Sequence, residues 1–289
     1  MTIAADTDNH PAMNTPATQV TGVFSHGHPA FMPYFTLGYP DYQTSLDIIR
    51  VCAGAGADLM ELGMPFSDPL ADGPTIQHST QVALENGMTT ERCLQAVRDL
   101  RAQGVRIPLM LMGYYNPILS HGEAPFARAA AAAGANGIII PDLPPEEATA
   151  LEGSCCQHGL ALSYLIAPTS TEERIKLVGQ KATGFVYLVS LTGVTGARAK
   201  LPDTLSNFVA RARRHVSLPL AVGFGISSVA HAQQVGQIAD GVIVGSKLIS
   251  VAQRADDPMD ACEAFVREMV EALKDTNTDL TAAQSDCPA

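Results

Sequence analysis

Two kinds of residue in one short segment are able to do chemistry together. In the run Asp58-Leu-Met-Glu61-Leu-Gly63-Met-Pro65-Phe-Ser-Asp68-Pro69-Leu-Ala-Asp72-Gly73-Pro74, Glu61 lies inside an apolar stretch. A carboxylate buried there is costly unless something uses it. It either pairs with a buried cation or hydroxyl, or serves as a general acid/base whose pKa the apolar walls lift. Asp68 and Asp72 follow in a loop that Pro65, Pro69 and Pro74 stiffen and Gly73 lets turn. Either aspartate alone suits a turn or a helix cap. As a pair in a stiff loop just past Glu61, they also suit a second carboxylate aimed at the same spot.

Three further groups of residues bear on ligand binding. Ser190-Leu-Thr192-Gly193-Val-Thr195-Gly196-Ala-Arg198 is a small-residue segment. It reads as a surface loop or as a lid that closes over substrate. Gly223-Phe-Gly225-Ile-Ser227-Ser228 and Gly245-Ser246-Lys247 each follow a short apolar run. They are two ordinary turns, or a cradle in which backbone N–H groups and a helix start hold a phosphate. No third glycine completes a dinucleotide fingerprint, and the P-loop pattern is absent. Tyr34, Tyr114, Tyr115 and Tyr187 fall in or just after apolar runs, where core packing is their default use. The eight histidines make no H-x-x-x-H pair, so no metal is expected, and His26 and His28 read as solvated. No lysine occurs within the apolar runs, which argues against a strand-borne Schiff base.

These groups need a scaffold, and the pattern supplies one. Apolar runs at 31–36, 59–63, 108–112, 137–140, 161–166, 185–189, 220–222 and 241–244 are short and end in Gly, Pro, Ser or Thr. Strands buried on both faces have this character. Amphipathic stretches at 41–53, 90–102, 123–133, 146–158, 171–180, 203–215, 227–238 and 259–274 alternate with them. Eight strand–helix units predict an α/β fold, a (β/α)8 TIM barrel, with extra helices in the loops after strands 2 and 8. The first of these extra helices is expected around 75–86. In such a barrel the chemistry sits just after the strands, which is where the groups above lie. Residues 29–274 form the barrel in this reading. The polar segments 1–28 and 275–289 are expected to be a disordered arm and tail.

Composition narrows the function classes. The chain has 289 residues, 46% apolar, and a formal charge of −11. It has no basic cluster of the kind nucleic acid requires. An acidic chain that binds a phosphate must do so with local donors. Six irregularly spaced cysteines and the lack of a basic leader or a long apolar run point to a reducing, cytoplasmic setting.

The string Glu61-Leu-Gly-Met-Pro-Phe-Ser-Asp-Pro-Leu-Ala-Asp72-Gly-Pro-Thr-Ile-Gln77 closely resembles the signature segment of the tryptophan synthase α-chain family. Further matches are Met112-Gly-Tyr114-Tyr-Asn116-Pro, Pro141-Asp142-Leu-Pro144, Ala167-Pro168-Thr169, Tyr187, Gly193-Val-Thr195-Gly196, Gly223-Phe-Gly225-Ile-Ser227 and Val244-Gly245-Ser246. The resemblance covers about residues 30–273. It implies a lyase that splits indole-3-glycerol phosphate into indole and glyceraldehyde 3-phosphate. It also implies no cofactor in this chain and an α2β2 assembly with a β subunit that carries pyridoxal phosphate. By position, Glu61 resembles the acid/base and Asp72 its carboxylate partner. Thr195 resembles a lid residue, Tyr34 and Tyr187 walls of the indole pocket, and Gly223, Gly225, Gly245 and Ser246 the phosphate cradle. Asp68, Asn116, Asp142 and Pro144 resemble parts of the face that meets the β subunit. The alternatives are a stand-alone indole-releasing lyase, a different phosphate-binding barrel such as an isomerase or epimerase, and a non-catalytic regulatory subunit. The segment before Ala30 departs from the family, because it lacks a basic amphipathic opening helix.

Overall fold

In the computed structural model, residues 15–190, 203–223 and 225–276 are described. The chain opens with α1 (Pro16–Gly22) and a 3-10 turn (Val23–Ser25) before β1 (Ala30–Thr36) and α2 (Tyr42–Gly54). Then come β2 (Met60–Gly63), α3 (Pro74–Glu85), α4 (Thr90–Ala102), β3 (Leu109–Met112), α5 (Tyr115–His121) and α6 (Glu123–Ala133). The middle continues with β4 (Gly137–Ile139), α7 (Thr149–Gln157), β5 (Ala161–Ser163), β6 (Leu165–Ile166), α8 (Glu172–Lys181) and β7 (Val186–Val189). It ends with α9 (Asp203–Arg213), β8 (Leu220–Gly223), α10 (Val229–Gly236), β9 (Gly241–Val244), α11 (Ser246–Arg254) and α12 (Pro258–Lys274).

All pairings are parallel, in the order β5-β4-β3-β2-β1-β9-β8-β7-β6. β5 and β6 are two halves of the single strand expected at 161–166, interrupted at Tyr164. The Tyr187 N–H donates to the Tyr164 carbonyl at 3.0 Å across that break. The sheet therefore closes on itself as the eight-stranded barrel that the alternation predicts.

Local signals start the helices where the chain carries them. Asp41, Thr89, Thr171 and Ser228 each accept the N–H three residues on, at 2.9, 3.3, 3.2 and 3.3 Å. Pro74 opens α3, where its missing N–H costs nothing. The extra helices after the second and last barrel strands are α3 and α11. α5 was not foreseen. Its seven residues are too few to show a period, and the Asp142 carboxylate, 27 residues away, accepts the Tyr115 N–H at its start (2.9 Å).

The N-terminal boundary needs correction. Residues 15–28, placed in the disordered arm by composition, include α1 and the 3-10 turn. Thr15 caps the helix by accepting the Thr18 N–H at 3.2 Å. Val20 and Val23 are buried against Met32, Leu59, Met110, Ile139, Ala161 and Phe185 inside the barrel floor. Each such burial is worth about 1.5–3 kcal/mol. Gln19 and the carbonyl of Pro16 receive the Asn136 side-chain amide at 2.7 and 3.4 Å. Two valines and one glutamine give no periodic stripe, so a short helix that works as a plug looks like a polar arm in sequence. The five cysteines among the described residues are free. No helix among the described residues is long and apolar enough to cross a membrane.

Candidate active site

A cavity of about 570 Å³ opens at the C-terminal ends of the strands. Its walls include Tyr34, Glu61, Asp72, Tyr187, Gly225, Gly245, Ser246 and Lys247. The two carboxylates singled out in the sequence thus share one chamber.

Glu61 comes from β2, beside Tyr34 of β1 and Met110 of β3 in the ladder. It is completely buried, and neither carboxylate oxygen has a hydrogen-bond partner among the described residues. Burial pushes its acid well above the usual carboxylate range. Among the described residues, the buried pairing that the sequence left open is absent, since neither a cation nor a hydroxyl meets it.

Asp72 reaches the chamber from the proline-rich loop, in a turn closed by its own N–H on the Pro69 carbonyl at 3.1 Å. Burial raises its acid to about 6, opposed by a hydrogen bond from the Tyr114 hydroxyl. That same hydroxyl accepts the Ala71 N–H at 2.9 Å, and the Tyr114 ring lies 5.4 Å from Phe66. Tyr114 therefore grips the loop at two consecutive residues. Sequence reasoning assigned it to core packing. The available signal was a tyrosine two residues past a strand, on the catalytic side. Tyr114→Phe removes a donor that lowers the Asp72 pKa, so the acid limb of kcat/KM is expected to move to higher pH. The variant should stay folded, with a rate loss on the order of tenfold. A pH–rate profile with an unmoved limb counts against this positioning role.

Tyr34 and Tyr187 are buried on either side. Burial raises both hydroxyls, with Asp72 the next contributor for Tyr34 and Glu61 for Tyr187, so both stay neutral. Tyr34 Oη lies 3.4 Å from Thr36 Oγ1, which lies 2.7 Å from Ser79 Oγ. The rings lie over bare backbone. A Cβ on Gly63 would overlap the Tyr34 hydroxyl, and one on Gly223 the Tyr187 hydroxyl.

This changes the account of Gly223. It is buried and does not line the cavity, and its missing side chain makes room for Tyr187 rather than for a ligand. Gly223→Ala is expected to cost about 1–3 kcal/mol through overpacking. A urea midpoint equal to the parent's would contradict that.

At the far end of the chamber, Gly245 stands before α11 with no side chain capping the helix. The neighbouring α10 is capped internally by Ser228. The first-turn N–H groups of α11 thus open on the cavity beside Ser246 and Lys247. Gly225 faces them with φ +79°, a left-handed conformation that favours glycine. Such an end attracts an anion through its N–H groups and dipole.

A second cavity of about 640 Å³ shares Ala71, Asp72, Met112 and Gly225 with the first. Asp142 and Pro144 line it. Asp68 and Asn116 are exposed outside both cavities, Asp68 accepting the Ser67 hydroxyl at 2.5 Å. Thr195 lies outside the described residues, as do Arg198 and Lys200.

A barrel with this chamber can be compared with known proteins. The family model described as tryptophan synthase alpha chain matches residues 22–278. The chain belongs to the tryptophan synthase alpha chain family. It is 53% identical to the tryptophan synthase alpha chain of Roseiflexus castenholzii, over 79% of this chain and 88% of that one. Against the Chloroflexus aurantiacus tryptophan synthase alpha chain it is 50% identical, over 86% and 94%. The crystal structure of tryptophan synthase subunit alpha from Legionella pneumophila superposes with a TM-score of 0.84 at 36% identity, over 90% of this chain and 99% of that one. A tryptophan synthase structure from M. tuberculosis gives 0.80 at 33%, over 88% and 99%. As a tryptophan synthase alpha chain it is a lyase of the indole-3-glycerol phosphate cleavage type and performs the α reaction of tryptophan biosynthesis. The family match begins at Gly22, so most of the plug helix precedes it.

Proposed function

We propose that Glu61 is the acid/base of the α reaction and Asp72 the carboxylate that stabilises its charged intermediate. The observation that carries this reading is the Glu61 carboxyl, buried without a partner among the described residues in the same chamber as Asp72. A carboxyl held neutral by apolar walls is a proton donor at neutral pH.

The substrate's bond joins indole C3 to the glycerol chain, and an aromatic indole carbanion leaves poorly. Glu61 gives its proton to C3, which makes the ring an indoleninium with positive charge on nitrogen. Ionised Asp72 offsets that charge as it develops. The Glu61 carboxylate then takes the proton of the hydroxyl next to the ring. The C–C bond breaks, its electrons restore the aromatic ring, and the hydroxyl carbon becomes the aldehyde. Glu61 ends protonated, as it began. Tyr34 and Tyr187 wall the indole. Gly225, Gly245 and Ser246, with the open end of α11, hold the phosphate. No strand among the described residues carries a lysine, which fits a reaction without a covalent imine.

The partner reading follows from the family. We assign Asp68, Asn116, Asp142 and Pro144 to a face for a β subunit in an α2β2 complex, with pyridoxal phosphate on that partner. The exposed Leu70, beside Asp68, supports an apolar contact there.

The test is indole release from indole-3-glycerol phosphate by the purified chain, with and without a β subunit. Slow release alone and a large increase with β is the expected result. Equal rates in both arms point to the stand-alone lyase, and no indole in either arm removes the assignment.

A further inference from the structure

The opposite end of the barrel carries a second cluster of ligating side chains, far in kind from the chamber's chemistry. His26 and His28 lie between the plug and β1, and Asp58 lies just before β2. One donor atom from each stands within 4.8 Å of the other two.

Two of the three are already oriented by backbone. The Phe31 N–H donates to Asp58 Oδ2 at 2.8 Å, which turns Oδ1 toward the histidines. His28 Nδ1 faces the Pro29 carbonyl at 3.1 Å. A carbonyl only accepts, so Nδ1 carries the proton and Nε2 keeps its lone pair. That is the usual preparation of a metal-binding imidazole. His26 Nδ1 lies 3.0 Å from Asp58 Oδ1, and its side chain is 51% exposed, so it is free to adjust.

We propose that His26, His28 and Asp58 form a site for one divalent transition metal ion, Zn²⁺ in the first instance. Two imidazoles and a carboxylate are a borderline donor set that suits Zn²⁺ rather than Ca²⁺ or Mg²⁺. Tetrahedral Zn²⁺ with bonds of about 2.0–2.1 Å sets its ligands about 3.4 Å apart. His26 and Asp58 stand 3.0 Å apart and need to open by a few tenths of an ångström, which the exposed His26 ring can do, while the contraction from at most 4.8 Å falls on His28. Binding replaces the hydrogen bond between His26 and Asp58, and the His26 ring keeps its one proton on the nitrogen that does not face the ion. Water fills the fourth position. The ion ties the linker behind the plug to the start of β2, so it closes the floor of the barrel. The chain's net charge of −11 favours a cation throughout.

The test uses the full chain, stripped with a chelator and titrated with Zn²⁺ by calorimetry. One ion per chain is expected, with a rise in melting temperature that added chelator reverses. His26→Ala and His28→Ala should each weaken binding about tenfold or more and abolish the thermal shift. Both should release indole at the parent rate, since neither residue lines the chamber. Co²⁺ in place of Zn²⁺ should give d–d absorption without a thiolate charge-transfer band. Absence of binding overturns the site. So does binding unaltered in both variants, which puts the ion elsewhere, or a thiolate band, which puts it on a cysteine such as the exposed Cys156.

Discussion

Glu61→Gln is expected to abolish indole release while leaving the protein as stable as the parent or more so. The change keeps the side chain's volume and removes only the ability to give and take a proton. General acid–base catalysis contributes roughly 10²–10⁴-fold. In the proposed mechanism Glu61 acts twice in one turnover, so the loss should reach the upper end or beyond. Stability should move the other way. The Glu61 acid sits well above its ordinary 4.5 in the fold because burial disfavours the charge. The folded state therefore holds the proton more tightly than the unfolded chain does. The stability this contributes is complete below about pH 4.5 and is lost as pH rises toward the folded value. Gln has no such proton to lose. The melting-temperature difference between Glu61→Gln and the parent should widen in favour of the variant from about pH 5 to about pH 8. Near-normal turnover would defeat the catalytic role. A variant that grows less stable than the parent across that range would defeat the account of its burial.

Asp72→Asn is expected to lower kcat/KM by about 10²–10³-fold, the usual cost of losing one preorganised electrostatic group. Its pH dependence makes the prediction specific. Asp72 has its acid raised to about 6, and only the ionised form stabilises a positive ring nitrogen. Parent activity should therefore fall as pH drops through about 6, and the alkaline side should report Glu61 losing the proton it must donate. In Asp72→Asn the acid limb should vanish and the alkaline limb persist. A variant that keeps an acid limb near pH 6 hands that limb to another group. Two carboxyls with separated tasks are a recurring device of acid–base enzymes. In the proposed assignment the separation has a visible origin. Glu61 has apolar walls and no partner among the described residues, whereas Asp72 has Tyr114.

Much of this was legible in the chain. Alternating short apolar runs and amphipathic stretches specify βα units because strands covered on both faces need no polar residue. Seven of the eight strands fall within a residue or so of the expected spans, and the eighth is split only at Tyr164. Glu61 stood out because a carboxylate in such a run violates the pattern, and Asp72 because prolines stiffen the loop that carries it.

What the linear order could not express was contact between distant residues. Whether Glu61 met a buried partner depended on every strand around it, and only the closed barrel showed that none of the described residues pairs with it. Tyr114 holds Asp72 from 42 positions further on, through a hydroxyl whose use no local pattern reveals. Gly223 looked like part of a ligand loop until the Tyr187 ring was found over it. Residues 15–28 looked like a solvated arm because two buried valines carry no periodicity. Period and composition report how each segment meets an apolar interior. Which side chain meets which is decided by the long-range closure of the sheet, because contacts between distant residues exist only once the strands are side by side.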